Sequence, residues 1–123
     1  MTLIDRTNLV AAADALTKTW SPRVIGKVND QLIKVAKLKG ELCWHAHDDE
    51  DEMFYVIAGG FRMEFETHSV ELREGDFLTV PKGVRHNPVA EEDCWVMLIE
   101  PASTLHTGSE VTEKTKSLAD QMK

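Results

Sequence analysis

The run "CWHAHDDEDEMFYVIAGG", residues 43 to 60, sets two histidines one residue apart and follows them with five consecutive acids. Neutral imidazole is a ligand for iron, nickel, copper and zinc, and a carboxylate completes many such sites. In an extended chain residues i and i+2 point to the same side. His45 and His47 would therefore present their rings together, with Cys43 on the same face. Asp48 to Asp51 fall between the histidine segment and the next apolar run, where a turn is expected. Glu52 opens that run, with Phe54 and Val56 as same-face neighbours, so a returning strand would carry its carboxylate back beside the imidazoles. A carboxylate facing an apolar interior is costly unless a cation or a donor compensates it. Glu52 is thus the candidate ligand, with Glu50 as its rival, and the four acids before Glu52 read as a rim.

A third histidine comes from "GDFLTVPKGVRHNPV", residues 75 to 89. Gly75 opens a strand, Pro81-Lys82-Gly83 makes a turn, and His86 follows. The full spacing is Gly40, His45-x-His47, four residues, Glu52, six residues, Gly59, and then Gly75, five residues, Pro81-x-Gly83, two residues, His86. This double pattern resembles the two motifs of the cupin superfamily, the small jelly-roll barrels, over residues 29 to 101. It departs from them twice. Gly40 precedes His45 by four residues where five are common, and Ala90 stands where asparagine is usual, with Asn87 close by. The resemblance implies that His45, His47, Glu52 and His86 bind one divalent metal ion inside the barrel mouth. Three nitrogens and one carboxylate leave two positions of an octahedron open and suit iron, manganese, nickel or cobalt, with zinc also possible. Cys43, Phe54 and Val56 would line the pocket beside them.

The elements that must position these residues can be read in outline. Residues 5 to 19 predict a short helix, with Asp5, Thr7 or Asn8 as N-cap and Ser21-Pro22 as its stop. From about Asn29 to Pro101 the pattern is strand. "FRMEFE" alternates, with Phe61, Met63 and Phe65 on one face, and Thr67-His68 marks a hairpin before "SVEL". "DFLTVP" and "DCWVMLIEP" add strands that each end at a proline. The expected fold is all-β, the cupin double-stranded β-helix or jelly-roll barrel, with a short N-terminal helix and a polar C-terminal tail. The expected organisation is an N-terminal helix and arm over residues 1–28, the barrel over 29–101, and a tail over 102–123 that is helical in part.

Composition narrows the function classes. The chain has 123 residues, enough for one domain with its own core, and 42% of them are hydrophobic and 28% charged. Fourteen basic residues against 21 acidic ones give a net charge of −7 without any basic run, which argues against nucleic acid as a partner. Cys43 and Cys94 form no disulfide framework, and no stretch approaches the length of a membrane span, so a cytoplasmic protein is expected. Met53, Tyr55 and Ile57 lie on the face opposite Glu52 and need a cover, which predicts a homodimer. The expected function is a metal-dependent enzyme of a small polar substrate. Oxygen chemistry ranks ahead of isomerase or lyase chemistry, because no second acid/base group is evident near the ligands. The alternative is a non-catalytic module that binds a small ligand or a metal.

Overall fold

A computed structural model describes residues 3–108 and 110–122 of the chain. Its strands are β1 (Arg23–Val28), β2 (Gln31–Glu41), β3 (Glu52–Ala58), β4 (Gly60–Phe65), β5 (Ser69–Arg73), β6 (Phe77–Val80) and β7 (His86–Pro101). They are flanked by helices α1 (Leu9–Asp14) and α2 (Leu118–Gln121). Every strand pairing is antiparallel, and the sheet runs β1-β2-β7-β3-β6 with β4 branching from β7 to β5.

The barrel closes through β7. One side of this 16-residue strand stays on β2. On the other side its first residues pair with β4, from His86 to Val89, and its later ones with β3, from Trp95 to Ile99. The change of partner folds the sheet over on itself and encloses Phe54, Val56, Phe61, Met63, Cys94, Val96 and Leu98. Gly59 sits at that fold, at φ +82°, where a Cβ would lie 2.5 Å from the Asp93 carbonyl oxygen. Only glycine fits there, because both the backbone region and the space exclude a side chain.

Two elements differ from the sequence expectation. The helix spans Leu9–Asp14 rather than residues 5 to 19, with Asn8 as the cap that accepts the Ala11 N–H at 2.9 Å. Helix propensity yields to a tertiary contact beyond it. Trp20 is buried at φ 54°, its N–H reaches the Lys37 carbonyl and its indole N–H reaches the Lys39 carbonyl at 2.7 Å. Strand structure also begins before residue 29, because β1 pairs with β2 through a two-residue hairpin at Asn29-Asp30. Asn29, at φ 53°, has the left-handed backbone that such a turn requires. Gly26 and the irregular register beside it interrupt the alternation that would have marked β1.

The C-terminal segment folds back onto the barrel. Thr104, Thr107 and Gln121 are buried, and Gly108 lies so close to the Ala46 carbonyl that no Cβ fits between them. Ser117 caps the single turn of α2 by accepting the Asp120 N–H at 3.1 Å.

Candidate metal centre

The segment that carries His45 and His47 is extended but is not a strand of the sheet. A single bridge at His45 ties it to β7, with His45 N–H to the His86 carbonyl at 3.0 Å and His86 N–H to the His45 carbonyl at 2.9 Å. The Pro81-Lys82-Gly83 turn is stitched to the same segment. The Gly83 N–H reaches the His47 carbonyl at 2.7 Å, and the Lys82 N–H reaches Asp51 Oδ1 at 2.9 Å. These four bonds fix the two histidine-bearing loops against each other. Glu52, the first residue of β3, enters between them.

The result is one buried group. His45, His47, Glu52 and His86 are 2%, 4%, 4% and 0% exposed, and the atoms they can offer to a metal lie within 4.8 Å of one another. Within the acid run Glu52 turns inward, whereas Glu50 and Asp51 take other partners. Glu50 accepts the Ser103 hydroxyl at 3.1 Å, and Asp51 holds the Pro81–Gly83 turn.

Hydrogen bonding sets which ring nitrogens face inward. His45 Nδ1 lies 3.0 Å from the Cys43 carbonyl and His86 Nδ1 lies 3.0 Å from the Val84 carbonyl. A carbonyl only accepts, so both Nδ1 atoms carry a proton, and it is the Nε2 atoms that are left to ligate an ion. Glu52 Oε1 is 3.5 Å from His86 Nε2 and 3.5 Å from His47 Nε2, and all three atoms are buried without a hydrogen-bond partner. Glu52 Oε1 thus faces two ring nitrogens, an arrangement that needs a proton or a cation between them. Burial, aided by the nearby His86, lowers the His45 pKa to about 4, which keeps its imidazole neutral near pH 7. Burial pushes the Glu52 carboxyl up, but His47 and His86 outweigh it and hold the group below the usual carboxylate range. Neutral imidazoles beside an ionised carboxylate are the donor set a divalent ion requires, with the outer nitrogens oriented by backbone carbonyls. These residues fit such an ion.

A cavity of about 30 Å³ lies beside the group and takes His45, Glu52, Phe54 and Leu98 into its lining. Of the three residues expected around the ligands, Phe54 is on this wall, and Val56 is fully buried in the core next to it. Cys43 is half-buried with Sγ 3.8 Å from His45 Nδ1, and burial raises its thiol pKa, so the neutral form prevails. Cys94, fully buried, is pushed up to about 12. Two further groups stand on the cavity wall: Glu100, which the sequence reading does not single out, and His106, which it ranks low as a residue that could fold over the barrel mouth. Glu100 is 3% exposed, and its Oε1 lies 3.3 Å from the ammonium of Lys34, which is 1% exposed. His106, from the C-terminal segment, accepts the Lys116 N–H at its Nδ1, 2.8 Å away. Glu100 shares the strand parity of the buried Val96 and Leu98 on β7, whereas no periodic pattern in "TLHTG" places His106.

Comparison with known proteins agrees with this architecture. Residues 32–100 match the cupin domain family Cupin_2, and the chain belongs to it. It is 40% identical to a cupin-2 domain protein from Shewanella frigidimarina NCIMB 400, with a TM-score of 0.76, covering 77% of this chain and 93% of that one. Protein NMB1881 from Neisseria meningitidis is 30% identical with a TM-score of 0.73, over 80% of this chain and all of the other. The uncharacterised protein YdbB of Bacillus subtilis (strain 168) is 35% identical over 80 residues, 64% of this chain and 71% of YdbB.

Proposed function

We propose that this chain is a metal-dependent enzyme of a small polar substrate, with one divalent ion held by His45, His47, Glu52 and His86. The observation that carries the reading is Glu52 Oε1 at 3.5 Å from two imidazole nitrogens, all buried and unpartnered. The ion would supply a Lewis acid, or an oxygen-activating centre if it is iron. The chain's own part is to orient the imidazoles through the Cys43 and Val84 carbonyls and to exclude bulk water by burying all four side chains.

Oxygen chemistry, ranked first on sequence grounds, is supported by the apolar wall of Trp20, Leu38, Phe54 and Leu98. Isomerase or lyase chemistry needs an acid/base group beside the metal. The sequence offered none, but Glu100 and His106 lie on the same wall. That observation moves isomerase or lyase chemistry ahead. Dioxygen uptake by the iron(II)-loaded protein, measured over a panel of diols and thiols, separates the two. Uptake that requires both iron and a panel member would reverse the order. A ligand that raises the melting temperature and never turns over would instead support a non-catalytic binding module.

The same proposal includes a homodimer. Phe77 is 70% exposed on edge strand β6 and pairs with Tyr55, extending the half-buried apolar face of Met53 and Tyr55. Sedimentation of wild type and of Phe77→Ser tests this. A monomeric wild type would refute it. Among the described residues no helix is long and apolar enough to cross a membrane. The two unbridged cysteines support a reducing compartment, and the division into arm, barrel and tail is part of the same reading.

A further inference from the structure

The barrel interior holds a second polar group beside the candidate metal ligands. Around it β2, β3 and β7 turn apolar side chains inward, among them Ala36, Leu38, Phe54 and Leu98. Lys34 and Glu100 interrupt this lining as a buried ion pair. A pair of this kind adds little stability compared with apolar side chains of the same shape, so its presence calls for another reason. Lys34 has a second partner, since its ammonium also donates to the Gln121 side-chain oxygen. Glu100 Oε2 is buried without a donor. Its carboxyl lies against that of Glu52, and burial together with this neighbour raises its pKa. The residue lines the cavity shared with His45, Glu52 and His106. An orphaned oxygen on a cavity wall beside a metal position marks where a ligand group belongs.

We propose that Glu100 is a specificity-determining residue whose free oxygen takes a hydroxyl of a small hydroxylated substrate, while other oxygens of that substrate sit on the metal. The inference rests on the metal reading above. A hydroxyl both donates and accepts, so it satisfies Oε2 in either protonation state, whereas a methyl in the same place leaves it unpaired. Lys34 acts through Glu100 as a positioning residue, and Gln121 fixes Lys34 from the C-terminal segment. The cavity of about 30 Å³ has room for little more than one or two water-sized groups, so a substrate of six heavy atoms displaces the segment that bears His106.

Glycerate and lactate test the idea on full-length protein loaded with manganese(II). Both can chelate a metal through the carboxylate and adjacent hydroxyl, and they differ by one distal hydroxyl. Calorimetric titration should give glycerate an affinity about tenfold or more above lactate, because a site built for a hydroxyl rejects an analogue lacking it. In Lys34→Met/Glu100→Met, which leaves no buried charge alone, the ratio should fall to about one while manganese uptake persists. Should that variant fail to fold, Lys34→Leu/Glu100→Leu, which also leaves no buried charge alone, carries the same expectation. Equal affinities in wild type, no binding of either probe to loaded wild type, or a preference that survives in the variant would each overturn the proposal. Absence of manganese uptake by wild type would remove the metal reading itself, and this inference with it. That result is seen before any probe is added.

Discussion

Glu52→Gln separates a metal ligand from a structural acid, because the two roles give the metal-free protein opposite changes in stability. In wild type, Glu52 Oε1 is buried at 3.5 Å from two imidazole nitrogens, and His86 Nδ1 donates to the Val84 carbonyl, which leaves Nε2 to face the carboxylate. Two buried acceptors that face each other unpaired cost about 1–3 kcal/mol. A glutamine of the same shape brings an N–H that can donate to His47 or His86, so the metal-free variant should gain about 1–2 kcal/mol, or roughly 4–8 °C in melting temperature. Its metal affinity should meanwhile fall by about tenfold or more, because the ligand loses its charge and about 1.4 kcal/mol of attraction suffices for that factor. Scanning calorimetry in chelator, followed by titration of manganese(II) or zinc(II) into the same samples, gives both numbers. If His47 and His86 instead donate N–H bonds to a structural Glu52, the variant loses stability and metal uptake does not change. That pair of results would refute the reasoning.

Four other outcomes follow from the same geometry. His47→Ala and His86→Ala should abolish tight metal binding while circular dichroism shows an intact fold, since the core around Phe61, Met63 and Val96 does not involve the site. Acid should weaken the protein through His106, whose pKa is lowered to about 4, first by burial, with Lys34, Lys116 and His47 adding to it and Glu52 opposing. The unfolded chain takes up that proton near pH 6.5 and the folded one only near 4. Stability therefore falls as pH drops through this window, by at most about 3 kcal/mol, and the loss should shrink in His106→Phe when measured by urea titration. Gly59→Ala should cost about 2 kcal/mol or more by thermal melt, given φ +82° and the Asp93 carbonyl oxygen 2.5 Å from the new Cβ. Lys34→Met alone should destabilise by about 1–3 kcal/mol in urea, because it leaves Glu100 Oε1 and the Gln121 side-chain oxygen buried without their donor, whereas Lys34→Met/Glu100→Met should recover part of that loss.

The spacing of His45, His47, Glu52 and His86 made this cluster legible because each residue sits at a fixed count from a turn glycine. Side-chain direction alone would have been a weaker guide. The histidine segment is not a strand of the sheet, and two turns stitched by backbone bonds hold its rings in place. Alternation also revealed the inward faces of β3 and β4, whereas β1 was hidden by Gly26 and its bulge. The helix boundary was misjudged because Trp20, some residues beyond it, is drawn into the barrel by bonds to Lys37 and Lys39. Lys34 and Glu100 escaped notice because a lysine or glutamate in a strand is ordinarily solvated, and only the three-dimensional register of β2, β3 and β7 buries both. His106 was the least legible, since its position depends on a loop that returns from 102 onward without any periodic pattern.

Elemental analysis of tag-free protein purified without added metal, combined with calorimetric titration of the chelator-stripped sample, tests the central claim most directly. Close to one divalent ion per chain is expected, lost in His86→Ala and restored to stripped wild type in a single saturable step. A wild-type protein that carries no metal and takes up none on titration would contradict it, and Glu52 with its three histidines would then be a buried polar cluster with no ion to hold.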